Sequence, residues 1–323
     1  MSREAMIELD QLCRSFGALR AVDAISFTVA AGEVLGYIGP NGAGKTTSMR
    51  ILATLDVPTS GEAYVDGFSV LDDPDRVRRR LGFMPDSYGT YPNMNSWEYL
   101  DFFARAYGLR GAERQRALRY TIGFLHMESL VFKPIRTLSK GMKQRLCLGR
   151  AMIHDPAVLI LDEPAAGLDP RARIELRGMI RELAANGKTI LVSSHIWTEL
   201  AEMCDRVAIV DQGRLLTQGT VSEIHQQQET QYATRRETVL RLLENSTRIA
   251  DWLQARPDLE VRDLVIEGDT VRFTHAGDRA KEAQLLRDLI QADFAITDFG
   301  SRVKTLEDIF MQVTGQGTIG VDP

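Results

Sequence analysis

The sequence predicts two folded units: an α/β domain with a mixed sheet and a helical subdomain over residues 1–225, and a small α+β ferredoxin-like domain over residues 234–316. Three observations carry this. Strand-like and amphipathic helical segments alternate through the first two thirds of the chain, the pattern of a mostly parallel sheet. The apolar segment Val34–Ile38 runs into a glycine-rich turn and then into helical sequence. Beyond a glutamine-rich stretch at 225–231 the pattern restarts in the order βαββαβ, a split unit able to fold alone.

Residues 7–12, 24–29 and 62–65 read as strands of an antiparallel flank. Val34–Ile38 is short and apolar throughout, as a strand covered on both faces must be, and its helix spans Lys45–Leu52. From 88 to about 135 the period turns helical, and Asn95, three residues ahead of Glu98, makes a capping pair that opens a helix through Phe102, Phe103 and Tyr107. Strand patterns return at Val158–Leu161, 189–193 and 207–210, the last closed by the turn Asp211-Gln212-Gly213. Residues 226–233 form a polar linker. In the second domain, 237–243 reads as strand and 247–255 as helix. Residues 261–266 and 270–274 read as a hairpin turning at Gly268-Asp269, 281–291 as helix, 294–299 as strand and 317–323 as a tail.

Lys and Arg total 39 against 44 Asp and Glu, a net charge of -5 that argues against a nucleic-acid partner, since such binding needs clustered cations. Cys13, Cys147 and Cys204 lack metal-ligand spacing and are too few for a disulfide framework, so they are expected as buried thiols in a reducing compartment. The amino terminus carries both signs of charge and leads into strand sequence, unlike a secretory signal. No stretch approaches the ~20 apolar residues of a bilayer span, the run Ala157-Val158-Leu159-Ile160-Leu161 being stopped by Asp162. If the protein works at a membrane, another chain supplies the spans. Arg76-Val77-Arg78-Arg79-Arg80 follows Asp72, Asp73 and Asp75 and reads as a solvated helix face.

Gly39-Pro40-Asn41-Gly42-Ala43-Gly44-Lys45-Thr46 fits the G-x-x-x-x-G-K-[ST] phosphate loop. Its glycines let backbone N–H groups wrap phosphate oxygens, Lys45 reaches the β- and γ-phosphates and Thr46 holds Mg²⁺, with Thr47 following in the same helix start. The apolar strand ending in Asp162-Glu163-Pro164 delivers two adjacent carboxylates where α/β sheets bind ligands. Asp162 then holds the metal and Glu163 orients or deprotonates the attacking water. Leu138-Ser139-Lys140-Gly141-Met142 starts a helix with Ser139 as a good N-cap, exposing N–H groups suited to phosphate.

With these motifs in this order, residues 1–225 resemble the nucleotide-binding subunits of ABC ATPases. The resemblance implies ATP and Mg²⁺ as ligands and a head-to-tail pair in which Ser139, Lys140, Gly141 and Met142 of one copy cap the ATP of the other. Lys140 and Met142 depart from the family's Leu-Ser-Gly-Gly-Gln, and Lys140 either attracts phosphate or points to solvent. His195 matches the switch histidine that contacts the γ-phosphate, Asp169 in Gly167-Leu168-Asp169-Pro170 matches the D-loop residue that reaches the partner's site, and Phe16 matches the aromatic that stacks on adenine. At Asp86 the family usually has a Gln, and a carboxylate there can still meet Mg²⁺. His126, His154, His225 and His275 match nothing.

Asp86, the altered signature and the appended domain resemble the branch that exports drugs, lipids or polysaccharides, as does the ending Thr305-Leu306-Glu307-Asp308-Ile309-Phe310 with Thr314-Gly315. Around Tyr88, Tyr91 and Pro92 the family grips a membrane subunit. The expected protein is therefore an ATPase that energises an exporter, peripheral at the cytoplasmic face of a membrane. Its partners are a second copy or a homologous ATPase subunit and a separate integral membrane permease. A soluble ABC ATPase of translation or DNA repair is the alternative. A nucleotide-gated regulator with little turnover has only Asp86 in its favour. The carboxy-terminal domain is expected to regulate or to stabilise the dimer.

Overall fold

The structure, a computed structural model, describes residues 5–87, 89, 91, 93–224, 235–243 and 247–303. The expected contacts of Tyr88 and Pro92, the linker at 226–233, the closing motif at 305–315 and the tail lie outside the described residues. The chain divides into two compact units, Met1–Val221 and Ser222–Pro323.

In the first unit, β1 (Ala5–Phe16) and β2 (Leu19–Ala30) form a long antiparallel pair, with β4 (Ser60–Val65) on the other side of β1 and the short β5 (Phe68–Ser69) at its edge. A second sheet has the order β10-β9-β3-β8-β7-β6. Its members β3 (Val34–Ile38), β6 (Leu81–Met84), β7 (Val158–Leu161), β8 (Thr189–Ser194) and β9 (Arg206–Asp211) run parallel. β10 (Arg214–Thr220) returns antiparallel through the turn at Gln212 and Gly213, both at positive φ. Every residue of β3, β7 and β8 is buried, as two covered faces require. α1 (Lys45–Leu52) ties the sheets together: its Met49, Ile51 and Leu52 share one core with Ile7 and Val22 of the first sheet and Leu35 and Leu191 of the second.

α2 (Pro74–Arg80) buries Val77 and leaves its arginines outside, the solvated face the charge run implied. The helical subdomain holds α3 (Ser96–Ala106) and α4 (Gly111–Phe124). Asn95 accepts from the Glu98 N–H at 2.9 Å while Glu98 accepts from the Asn95 N–H at 2.9 Å, a closed capping box. α5 (Lys140–Met152) leads back to β7, and α6 (Pro170–Ala185) and α7 (Trp197–Ala201) flank β8. His154, just past α5, stacks on Tyr107 with ring centroids 3.6 Å apart and donates from Nε2 to the Leu81 carbonyl at 3.1 Å. Its Nδ1 is buried with no partner among the described residues, and burial pulls its pKa down to about 4.

The second unit follows the expected order: β11 (Arg235–Leu242), α8 (Thr247–Gln254), β12 (Arg262–Glu267), β13 (Thr270–Ala276), α9 (Arg279–Gln291), β14 (Ile296–Val303). The sheet order β12-β13-β11-β14, antiparallel throughout, is that of a ferredoxin-like split unit. Ile249 and Leu253 of α8 and Leu285 and Leu289 of α9, each pair one helical turn apart, close over Leu240, Val271 and Phe273. The three cysteines are free and buried. Among the described residues no helix is long and apolar enough to cross a membrane.

Candidate active site

The carboxyl ends of β3, β7 and β8 meet at one place, and each delivers part of the site. After β3 the loop climbs over the start of α1, with Gly42 and Gly44 at φ 85° and 95°. A Cβ on Gly44 would stand 2.3 Å from the Ala21 carbonyl oxygen, so that position admits only glycine. The loop opens a cleft of about 310 Å³ lined by its residues 40–47, by Phe16 and Leu19 of the first hairpin, and by Asp86 and Glu163. Lys45, 5% exposed, donates from Nζ to the carbonyls of Gly39 (2.5 Å) and Pro40 (3.1 Å). Burial draws its pKa down, against the pull of the Glu163 carboxylate 3.4 Å away.

Asp162 directly follows β7 and is fully buried. Its Oδ1 accepts from Ser193 Oγ at 2.7 Å, whereas Oδ2 is buried with no hydrogen-bond partner among the described residues. Burial raises the Asp162 pKa, opposed by the hydroxyls of Ser193 and Thr46 and reinforced by the charges of Asp86 and Glu163. Glu163 sits in the left-handed region, φ 48°, with its Oε2 2.9 Å from Nδ1 of His195. Lys45, Glu163 and His195 thus form a line beside the cleft.

Phe16 is 47% exposed, so it is no core residue. The Arg14 guanidinium covers its ring at 4.5 Å. Asp86 is exposed at the cleft and accepts from the Ser87 N–H at 2.6 Å. Ser139 caps α5, accepting from the Met142 N–H at 3.3 Å, but it and its neighbours Lys140, Gly141 and Met142 do not line the cleft of their own chain. Lys140 is exposed, with its ammonium beside Gly167. Asp169 caps α6 by accepting from the Ala172 N–H at 2.9 Å.

Three residues escaped the sequence reading. Ser193 donates to the Asp162 carboxylate and accepts from the Glu163 backbone N–H. Gln144, buried, donates to the Pro164 carbonyl at 2.9 Å and so ties α5 to the segment after Glu163. Arg173 lies 3.0 Å from Glu199, which in turn accepts from Ser194 beside His195.

Residues 22–166 match the family described as ABC transporter, and residues 219–314 match the C-terminal domain of ATP-binding proteins of the DrrA1-3 kind. The chain is 33% identical over 308 residues to the ABC transporter ATP-binding protein YxlF of Bacillus subtilis, covering 95% of this chain and 99% of that one. It is 36% identical over 219 residues to Nod factor export ATP-binding protein I of Ralstonia nicotianae, covering 68% of each. A solved ATP-binding subunit of an ABC transporter superposes with a TM-score of 0.63 at 32% identity, over 69% of this chain and 92% of that one. The phosphate loop, the buried Asp162 and this likeness define an ABC ATPase. The chain belongs to the ABC transporter family of ATP-binding subunits, and ATP hydrolysis driving transport is its activity.

Proposed function

We propose that this subunit energises an exporter from the cytoplasmic face of a membrane, two copies closing on two ATP molecules and passing the movement to a separate permease. The observation that carries the catalytic reading is the line Lys45–Glu163–His195 beside the cleft. Phe16 offers an exposed ring for the adenine, and stacking needs only a π-face. Gly39 to Thr47 wrap the phosphates, and Lys45 exchanges the carbonyls it now holds for phosphate oxygens. Glu163 accepts the proton of the attacking water, and His195, bonded to Glu163, faces the γ-phosphate.

The Oδ2 of Asp162, without a hydrogen-bond partner among the described residues, and the nearby Thr46 would hold a hard divalent cation, with Asp86 as a further carboxylate. Mg²⁺ bound there supplies charge neutralisation between the phosphates. Ser139 and Gly141 do not line their own cleft, which supports their service to the partner's ATP together with Lys140 and Met142, and Gly141 lies against Ala172 and Leu168 next to Asp169. Export rather than import follows from the likeness to a Nod factor exporter and from the second domain.

Glu163→Gln tests this. Turnover should fall by ~10²-fold or more while ATP binding persists, the scale of a lost general base. Unchanged turnover removes Glu163 from the reaction.

A further inference from the structure

Ser193 is fully buried near the end of β8, directly after the apolar run Ile190, Leu191 and Val192. A hydroxyl there is costly unless its hydrogen-bonding capacity is used. Both sides of it are used. Its Oγ donates to Asp162 Oδ1 at 2.7 Å and accepts from the Glu163 N–H at 2.8 Å. The parallel register that pairs Leu161 with Val192 sets Ser193 beside this junction.

We propose that Ser193 is the positioning residue that gives the two adjacent carboxylates different tasks. The bond to Oδ1 restrains the rotation of the Asp162 carboxylate and presents Oδ2, which has no hydrogen-bond partner among the described residues, to a cation. Holding the Glu163 N–H keeps that residue at φ 48°, a strained conformation for a non-glycine residue that needs outside support. That backbone turn carries the Glu163 side chain to Lys45 and His195. One hydroxyl thereby separates the metal-side acid from the water-side acid.

This inference rests on the proposed roles of Asp162 and Glu163, and the experiment separates the two. ATP affinity of the full-length protein is measured by calorimetry with Mg²⁺ and again with chelator, alongside turnover, for wild type, Ser193→Ala, Ser193→Thr and Asp162→Asn. A hydrogen bond to a charged group predicts that Ser193→Ala lowers the Mg²⁺-dependent gain in ATP affinity about tenfold and turnover by at least as much. Its metal-free affinity should stay within about twofold of wild type, by the same argument that only the charged group is affected. Ser193→Thr, which keeps the hydroxyl, should restore most of both.

If Ser193→Ala keeps the Mg²⁺-dependent gain and the turnover, the proposal is wrong. If it loses metal-free affinity to the same extent, Ser193 is a packing residue and the proposal is equally wrong. If Asp162→Asn leaves the Mg²⁺-dependent gain intact, the metal role of Asp162 fails first, whatever Ser193 does.

Discussion

His154 makes the stability of the first unit depend on pH in a way that can be worked out. Its folded pKa of about 4 lies below the ordinary value of 6.5, because burial opposes charging a ring whose Nδ1 has no partner among the described residues. The folded chain therefore stays neutral at His154 where the unfolded chain already binds a proton, and stability falls as pH drops through that window. From about pH 7.5 to about pH 5 the loss attributable to this ring is about 2 kcal/mol, rising to about 3 at pH 4. Other groups titrate over the same range, so the comparison is with His154→Gln, which keeps a planar donor for the Leu81 carbonyl but cannot charge. Urea unfolding of both proteins at a series of pH values, following the transition that ATP shifts, gives the difference directly. The variant should be the less stable at pH 7.5, having lost the stack on Tyr107, and the gap should close by about 2 kcal/mol at pH 5. A gap that stays constant with pH would refute the reasoning.

Lys45→Ala should weaken nucleotide binding itself, since it removes the cation at the loop; a titration with wild-type affinity would contradict the cradle. Phe16→Ala should lower ATP affinity by ~1 kcal/mol or more, the scale of a lost base stack, and leave inorganic triphosphate binding unchanged. Gly44→Ala should abolish ATP binding, because the loop must move to relieve the contact with the Ala21 carbonyl; a soluble variant that binds normally would show that the loop adapts. Deleting the chain after about residue 230 should leave ATP binding intact, since the described residues that line the cleft all belong to the first unit. Loss of binding in a folded truncation would place the second unit at the site.

Where a property is local, the sequence states it. Gly39 to Thr46, the Asn95 capping box and the turn at Gln212-Gly213 depend on near neighbours and were legible residue by residue. The βαββαβ order was legible because each element has its own period. β6 was not: four residues with Gly82 among them carry no strand signal, and what makes them a strand is distant. A Cβ on Gly82 would meet the Ala151 carbonyl at 2.1 Å, so α5 packs on this strand backbone to backbone. Ser193 was silent for the same reason. Its meaning lies in the residues of β7 beside it, and no spacing within 189–194 announces them.

α5 joins two of these features in one rigid body. Its 13 residues make a rod about 20 Å long. Ser139, proposed to touch the other copy's nucleotide, caps one end; the stack of His154 on Tyr107, which belongs to the helical subdomain, stands just beyond the other. A helix of that length hardly compresses, and Gln144 clamps it along the way to the segment after Glu163. A displacement imposed at the capped end of so stiff a rod would be carried toward the aromatic stack, past the segment that follows Glu163.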